Sequence, residues 1–114
     1  MTLANFTKRT LWKSKYRNQP VIDPEHGRFA SKREYARFLE LRLLERGKEI
    51  HGLKRQVPFA LNVQGHHICK YIADFTYTER GQFTIEDAKG VRTPEYKIKR
   101  ALMRAIFGWE IKET

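Results

Sequence analysis

Cys69 is the only cysteine in the chain, so no internal disulfide can form, and a reducing compartment is expected. No apolar run approaches the roughly 18 residues that a membrane-spanning helix needs, and the N-terminus lacks the apolar stretch of a secretory signal. A cytoplasmic protein without a membrane role is the expectation. Glycine-rich phosphate loops, a nucleophile elbow and a Cys/His dyad are all missing, which argues against P-loop, serine-hydrolase and cysteine-protease chemistry. His66, His67 and Cys69 make an HHxC cluster with no second ligand pair at finger spacing, so zinc is not expected. Neither a solenoid repeat nor a low-complexity tract is present.

Acidic residues are also scarce. Against 13 Asp and Glu stand 23 Lys and Arg, a net charge of +10, and such an excess attracts polyanions and gains free energy from released counterions. Nucleic acid is therefore the default partner. The 114 residues, 40% of them hydrophobic, suit one domain with a core of its own.

Residues 1–19 read as a basic arm, with Lys13, Lys15 and Arg17 among its charges, and 20–114 as a single domain. DPEHG, between VI and RF, marks a short hairpin or loop. Ser31 and Glu34 have capping-box spacing, and Tyr35, Phe38, Leu39, Leu41, Leu43 and Leu44 give a broad apolar side, so a helix is expected from Ser31 to Arg46. Leu53 to Leu61 has strand composition but contains Pro58, which suits an edge strand or a strand with an interruption. Ile68 to Tyr77 and Phe83 to Lys89 read as further strands, joined by the TERGQ loop. Thr93, Pro94 and Gly108 bracket a second helix with a core face of Ile98, Leu102 and Ala105, joined by Ala101 and Ile106, and a basic face of Lys97, Arg100 and Arg104. Trp109 to Lys112 reads as a short final strand. The order implies an α/β (α+β) domain with a central mixed sheet flanked by helices.

Asp74 stands in an apolar strand, and Glu86, Asp87 and Lys89 close the next one, although acidic residues form strands poorly. Side chains alternate faces along a strand. Asp87 and Lys89 then share a face, Glu86 takes the other, and Asp74 on a neighbouring strand can stand beside Asp87. Two close carboxylates repel unless a cation lies between them, and magnesium takes one or two carboxylates while filling its shell with water and phosphate oxygens. Lys89 is placed to hold the attacking water or to neutralise charge on the phosphate. A surface hairpin carrying Asp and Lys on its exposed side is the alternative explanation. Gln56, on the preceding strand, can order a water at such a site, while Lys97, Arg100 and Arg104 suit phosphate contacts.

YIADF followed by IEDAKG, after SKREYARFLEL and LKRQVPF and before TPEYKIKRALM, resembles the PD-(D/E)xK nuclease superfamily. More closely it resembles a small phage-encoded family with similar landmarks, akin to Holliday-junction resolvases. The resemblance runs from about Lys15 to the C-terminus. It implies a restriction-endonuclease-like core and a divalent metal, Mg2+ with Mn2+ as a substitute, held by Asp74, Asp87 and a helical Glu34, with Lys89 as the catalytic lysine. Ala73 stands where the superfamily often has proline, and Asp87 where it often has glutamate. The activity so implied is metal-dependent endonucleolytic cleavage of DNA, directed at branched structures and carried out by a homodimer. A catalytically inactive DNA-binding or packaging protein of the same fold, or a basic RNA-binding module, is the alternative.

Overall fold

The computed structural model describes residues 19–89 and 91–114, so residues 1–18 of the basic arm, with Lys13, Lys15 and Arg17 among them, lie outside the described residues. The chain divides between Ala36 and Arg37 into two compact units.

In the first unit, β1 (Val21–Asp23) and β2 (Gly27–Phe29) form an antiparallel pair. The DPEHG turn is organised by its aspartate, since Asp23 Oδ1 accepts the amides of Glu25 at 2.7 Å and His26 at 3.0 Å. Its other oxygen accepts the Tyr35 hydroxyl at 2.7 Å. The Tyr35 bond, followed by the two amides, lowers the Asp23 carboxyl to about 2. Helix α1 (Lys32–Arg46) begins here, and Ser31 Oγ caps it by accepting the Glu34 amide at 3.1 Å, which satisfies one of the free donors of the first turn.

The second unit contains the rest of α1, then β3 (Ile50–Val63), β4 (His66–Glu79), β5 (Gln82–Asp87), α2 (Pro94–Phe107) and β6 (Ile111–Glu113). The sheet order is β3-β4-β5-β6. The first two pairings are antiparallel and β5 with β6 is parallel, so α2 is the crossover that a parallel pair requires. This is an α+β fold built on a mixed four-stranded sheet. Gln64 with Gly65, and Arg80 with Gly81, turn the two hairpins with positive φ at both positions, as the right-handed twist of paired strands favours. Pro58 lies on β3, an edge strand where its missing N–H is tolerated.

The helices cover opposite faces of β5. Glu86 faces α1, bonded to Arg37, while Ile85 belongs to the cluster that contains Tyr96 and Met103 of α2. On the α1 side Phe38 stacks over Phe75 at 6.3 Å between ring centroids. On the α2 side Leu61, Tyr71, Ala73, Ile85 and Ile111 complete the core, each large side chain contributing about 1.5–3 kcal/mol by its burial.

Both helices bury narrower stripes than their composition suggests. In α1 Phe38 and Leu41 are buried, but Leu39 and Leu43 are exposed; positions four and seven residues on from Glu34 lie on one face, and Leu39 and Leu43 do not. The correction for α2 is larger. Ile98 is 62% exposed, and the buried residues are Tyr96 and Met103. The helix is rotated so that the long Met103 fills the centre of the cluster and the Tyr96 hydroxyl reaches Glu113 Oε2 at 2.7 Å, an arrangement that Ile98 facing inward would not provide.

Candidate functional site

The site lies where β4 and β5 separate. Their pairing runs from Glu79↔Gln82 to Phe75↔Glu86 and ends there. Asp74 and Asp87 are the next residues on each strand, and their side chains take up hydrogen bonds where the ladder stops. Asp74 Oδ2 accepts the Ala88 amide at 2.9 Å, and Gln56 Nε2 donates to Asp74 Oδ1 at 3.4 Å. Asp87 Oδ1 lies 3.4 Å from Lys89 Nζ, and Asp87 Oδ2 accepts the hydroxyl of Tyr71. The ammonium of Lys89 also sits 4.3 Å from the centroid of the Tyr96 ring, a favourable contact that helps to fix its position.

The alternation of side chains slips by one residue at Asp74. Tyr71 and Ala73 belong to the α2 cluster, yet Phe75, of the same parity, packs on α1. Gln56, opposite Asp74 on β3, has φ +51°, a left-handed conformation uncommon outside glycine. The pairs Arg55↔Phe75 and Val57↔Ala73 flank this point on both strands, so the two strands switch faces together. Strict alternation puts Tyr71 and Asp87 on opposite faces, whereas the slip brings them into contact.

Consecutive carboxylates of β5 are thereby held by two tyrosines of β4. Asp87 is 2% exposed and bonded to Tyr71. Glu86 is fully buried and accepts from the Tyr77 hydroxyl at 2.6 Å, from Arg37 Nε at 2.6 Å and Nη2 at 2.9 Å, and from Thr114 Oγ1 at 3.2 Å. Burial pushes the Glu86 carboxyl up, but Arg37 and Tyr77 outweigh it and leave it below its ordinary value. Burial raises the Tyr71 phenol strongly, and the charge of Asp87 raises it further. Tyr71 keeps its proton and donates it. Tyr96 behaves similarly, raised by burial and then by its bond to Glu113, where Arg92 Nε and Arg100 Nη1 also converge at 2.8 and 2.9 Å.

Gln56 thus lies beside Asp74 and Lys89 beside Asp87, and the bond from the Ala88 amide to Asp74 links the two pairs. Glu34 is 4% exposed on α1 and belongs to the first unit. The expected basic face of α2 is largely neutralised, with Arg100 bonded to Glu113 and Arg104 Nε 2.7 Å from Glu110, while Lys97 is exposed. Glu86, assigned to the face away from the site, does occupy that face, paired with Arg37. Among the described residues no group of three His, Cys, Asp or Glu side chains is arranged to hold a metal. Two carboxylates at a strand fork nevertheless match the donor chemistry of a hard divalent cation, which completes its octahedron with water and phosphate oxygens.

Tyr71, Tyr77 and Arg37 are not site candidates on sequence pattern alone. A signal for each existed: a tyrosine in a buried strand requires an acceptor for its hydroxyl, and an arginine one turn before Leu41 within an apolar stripe requires an acid. No helix among the described residues is long and apolar enough to cross a membrane.

The family described as "Protein of unknown function (DUF1064)" matches residues 13–113, and the chain belongs to it. No curated protein and no solved structure matches the chain.

Proposed function

For this member of the family we propose a metal-dependent endonuclease that hydrolyses phosphodiester bonds in DNA. The observation that carries the reading is the placing of Asp74, Asp87 and Lys89 at one strand fork: the Asp74 carboxylate on the Ala88 amide, and Asp87 in an ion pair with Lys89 on either side of that residue. The net charge of +10 supports a polyanionic substrate.

Asp74 and Asp87 would hold the ion, Mg2+ or in its place Mn2+. Bound there, it supplies positive charge to the phosphate and acidifies a water. Tyr71 donates to one oxygen of Asp87 and so fixes the orientation of the other. Lys89, steadied between Asp87 and the Tyr96 ring, presents a positive charge to the developing phosphorane, an interaction strongest in the transition state. Gln56 orients the Asp74 carboxylate or a water beside it. A homodimer that cuts branched DNA is the specific form proposed.

The absence of a three-donor metal group among the described residues favours one rival, a DNA-binding protein of the same fold without catalysis. Incubating the protein and Asp87→Asn with branched, duplex and single-stranded DNA, in Mg2+, Mn2+ or EDTA, separates the two. Cleavage in metal that is lost in EDTA and in the variant is the expected result. Equal cutting by both proteins would refute the site, and binding without cutting would establish the rival.

A further inference from the structure

Next to the carboxylates, on the α2 side of β4, is a cleft of about 290 Å³. Lys70, Tyr71, Ile72, Lys89, Tyr96 and Lys99 line it. Three ammonium groups thus surround a space at the small end of the range for ligand pockets, about 300–1,000 Å³. The one acidic side chain on its wall, Glu95, is mostly solvent-exposed and pairs with Lys99 at 2.9 Å. Lys70 is exposed and makes no ion pair with another described residue. Tyr71, Ile72 and Tyr96 give the cleft an apolar and aromatic part, because the Tyr71 and Tyr96 hydroxyls are already committed to Asp87 and Glu113.

Such a cleft suits a singly charged phosphodiester with its sugar. The ammonium groups match the phosphate charge, while the tyrosine rings and Ile72 offer surface to the sugar or base. It is too small for a duplex. Lys89 connects the cleft to the carboxylate fork, since it lines the cleft and pairs with Asp87. Of the basic residues of α2, Lys99 lines the cleft while Arg100 and Arg104 do not, and the carboxylate partner of Lys99, Glu95, is itself on the cleft wall and mostly exposed.

We propose that this cleft binds the backbone phosphate of a DNA strand next to the one at the Asp74 and Asp87 fork, with Lys70 and Lys99 as its clamps. The assignment rests on the nuclease reading for the adjacent phosphate. It makes the cleft the element that seats one strand, and so sets which bond lies over the carboxylates.

The test uses the full-length protein in EDTA, with fluorescein-labelled single-stranded and duplex oligonucleotides and anisotropy as the readout. Lys70→Gln/Lys99→Gln is compared with Lys112→Gln and with the wild type across a salt series. Each lost phosphate contact lowers the slope of log K against log salt by about 0.7 for a single strand, so the double variant should lose about 1.4 of slope, and affinity should fall at least tenfold. Lys112→Gln, an exposed lysine of β6 outside the cleft, should stay within twofold of the wild type. The single variants, each losing half of that slope, serve if the double variant does not fold by circular dichroism. An unchanged slope, or competition by inorganic phosphate as effective as that by the oligonucleotide, would overturn the assignment. If the slope is unchanged while the wild type still cuts DNA in Mg2+ and Asp87→Asn does not, the cleft assignment falls and the nuclease reading stands. If the slope drops as expected but nothing is cut, the cleft stands as a strand-binding site without the nuclease.

Discussion

Tyr71 donates its hydroxyl proton to Asp87, although strict alternation along β4 and β5 would set the two side chains on opposite faces of the sheet. The contact exists because the alternation slips at Asp74, and it leaves one oxygen of a nearly buried carboxylate committed to a phenol and the other beside Lys89. Tyr71→Phe removes that donor and almost nothing else. A buried charge that loses one hydrogen bond costs about 1.5–3 kcal/mol, so urea denaturation should show a loss of that order. Metal-dependent DNA cleavage should fall with it, because Asp87 is freed to rotate. A variant as stable as the wild type would mean that the hydroxyl contributes little to holding Asp87.

Stability should decline at alkaline pH. Tyr71, Tyr77 and Tyr96 all have phenols raised above the ordinary value, in each case chiefly by burial. The folded protein therefore holds protons that the unfolded chain releases at about pH 10. Their contribution is complete below that pH and is lost as pH climbs toward the folded values. Urea midpoints measured from about pH 8 to about pH 11 should fall above about pH 10, more steeply in the wild type than in Tyr71→Phe. Identical pH profiles for the two proteins would contradict the burial of Tyr71.

Arg37 and Glu86 should behave as a coupled pair. Glu86 is fully buried, with two of its bonds coming from Arg37, so Arg37→Met leaves an uncompensated charge inside and should cost about 3–5 kcal/mol. Adding Glu86→Leu should restore much of that loss, because replacing both partners removes the burial penalty together with the attraction. The lowered Glu86 carboxyl also predicts acid sensitivity, with stability present above the unfolded value of about 4.3 and lost as pH falls through the folded one. Thermal melts of the single and double variants, at neutral and acid pH, measure both effects. Additive losses in the double variant would show that the pair is not coupled.

Much of this arrangement can be read from the chain, in those places where local chemistry decides structure. Ser31, Thr93, Pro94 and Gly108 mark helix ends because capping is a local event. Pro58 marks an edge because it has no N–H to give a second neighbour. Asp74 lies beside the end of β5, bonded to the Ala88 amide, because the hairpin pairs the two strands up to the residues just before Asp74 and Asp87. What cannot be read locally is the slip at Asp74, which depends on a left-handed Gln56 on another strand. The rotation of α2 likewise depends on acceptors far along the chain, since Tyr96 and Arg100 both seek Glu113, and an apolar count over the helix gives no weight to such partners.

Gln56 provides the sharpest test of whether the slip serves function. A non-glycine residue at φ +51° is disfavoured by about 1–2 kcal/mol relative to glycine, and its exposed side chain reaches Asp74 only at 3.4 Å. If stability alone governed the position, glycine would be the better residue. Gln56→Gly should therefore raise stability by about 1 kcal/mol in urea, less whatever glycine gains in unfolded-chain entropy. If the amide orients Asp74 or a water beside it, the same variant should lose metal-dependent cleavage despite being more stable. Gln56→Asn, which tolerates the left-handed region and retains a shorter amide, should be similarly stable and recover part of the activity. A glycine variant that is more stable and fully active would assign Gln56 to backbone geometry alone, and one that is less stable would show that its side-chain contacts outweigh the strain.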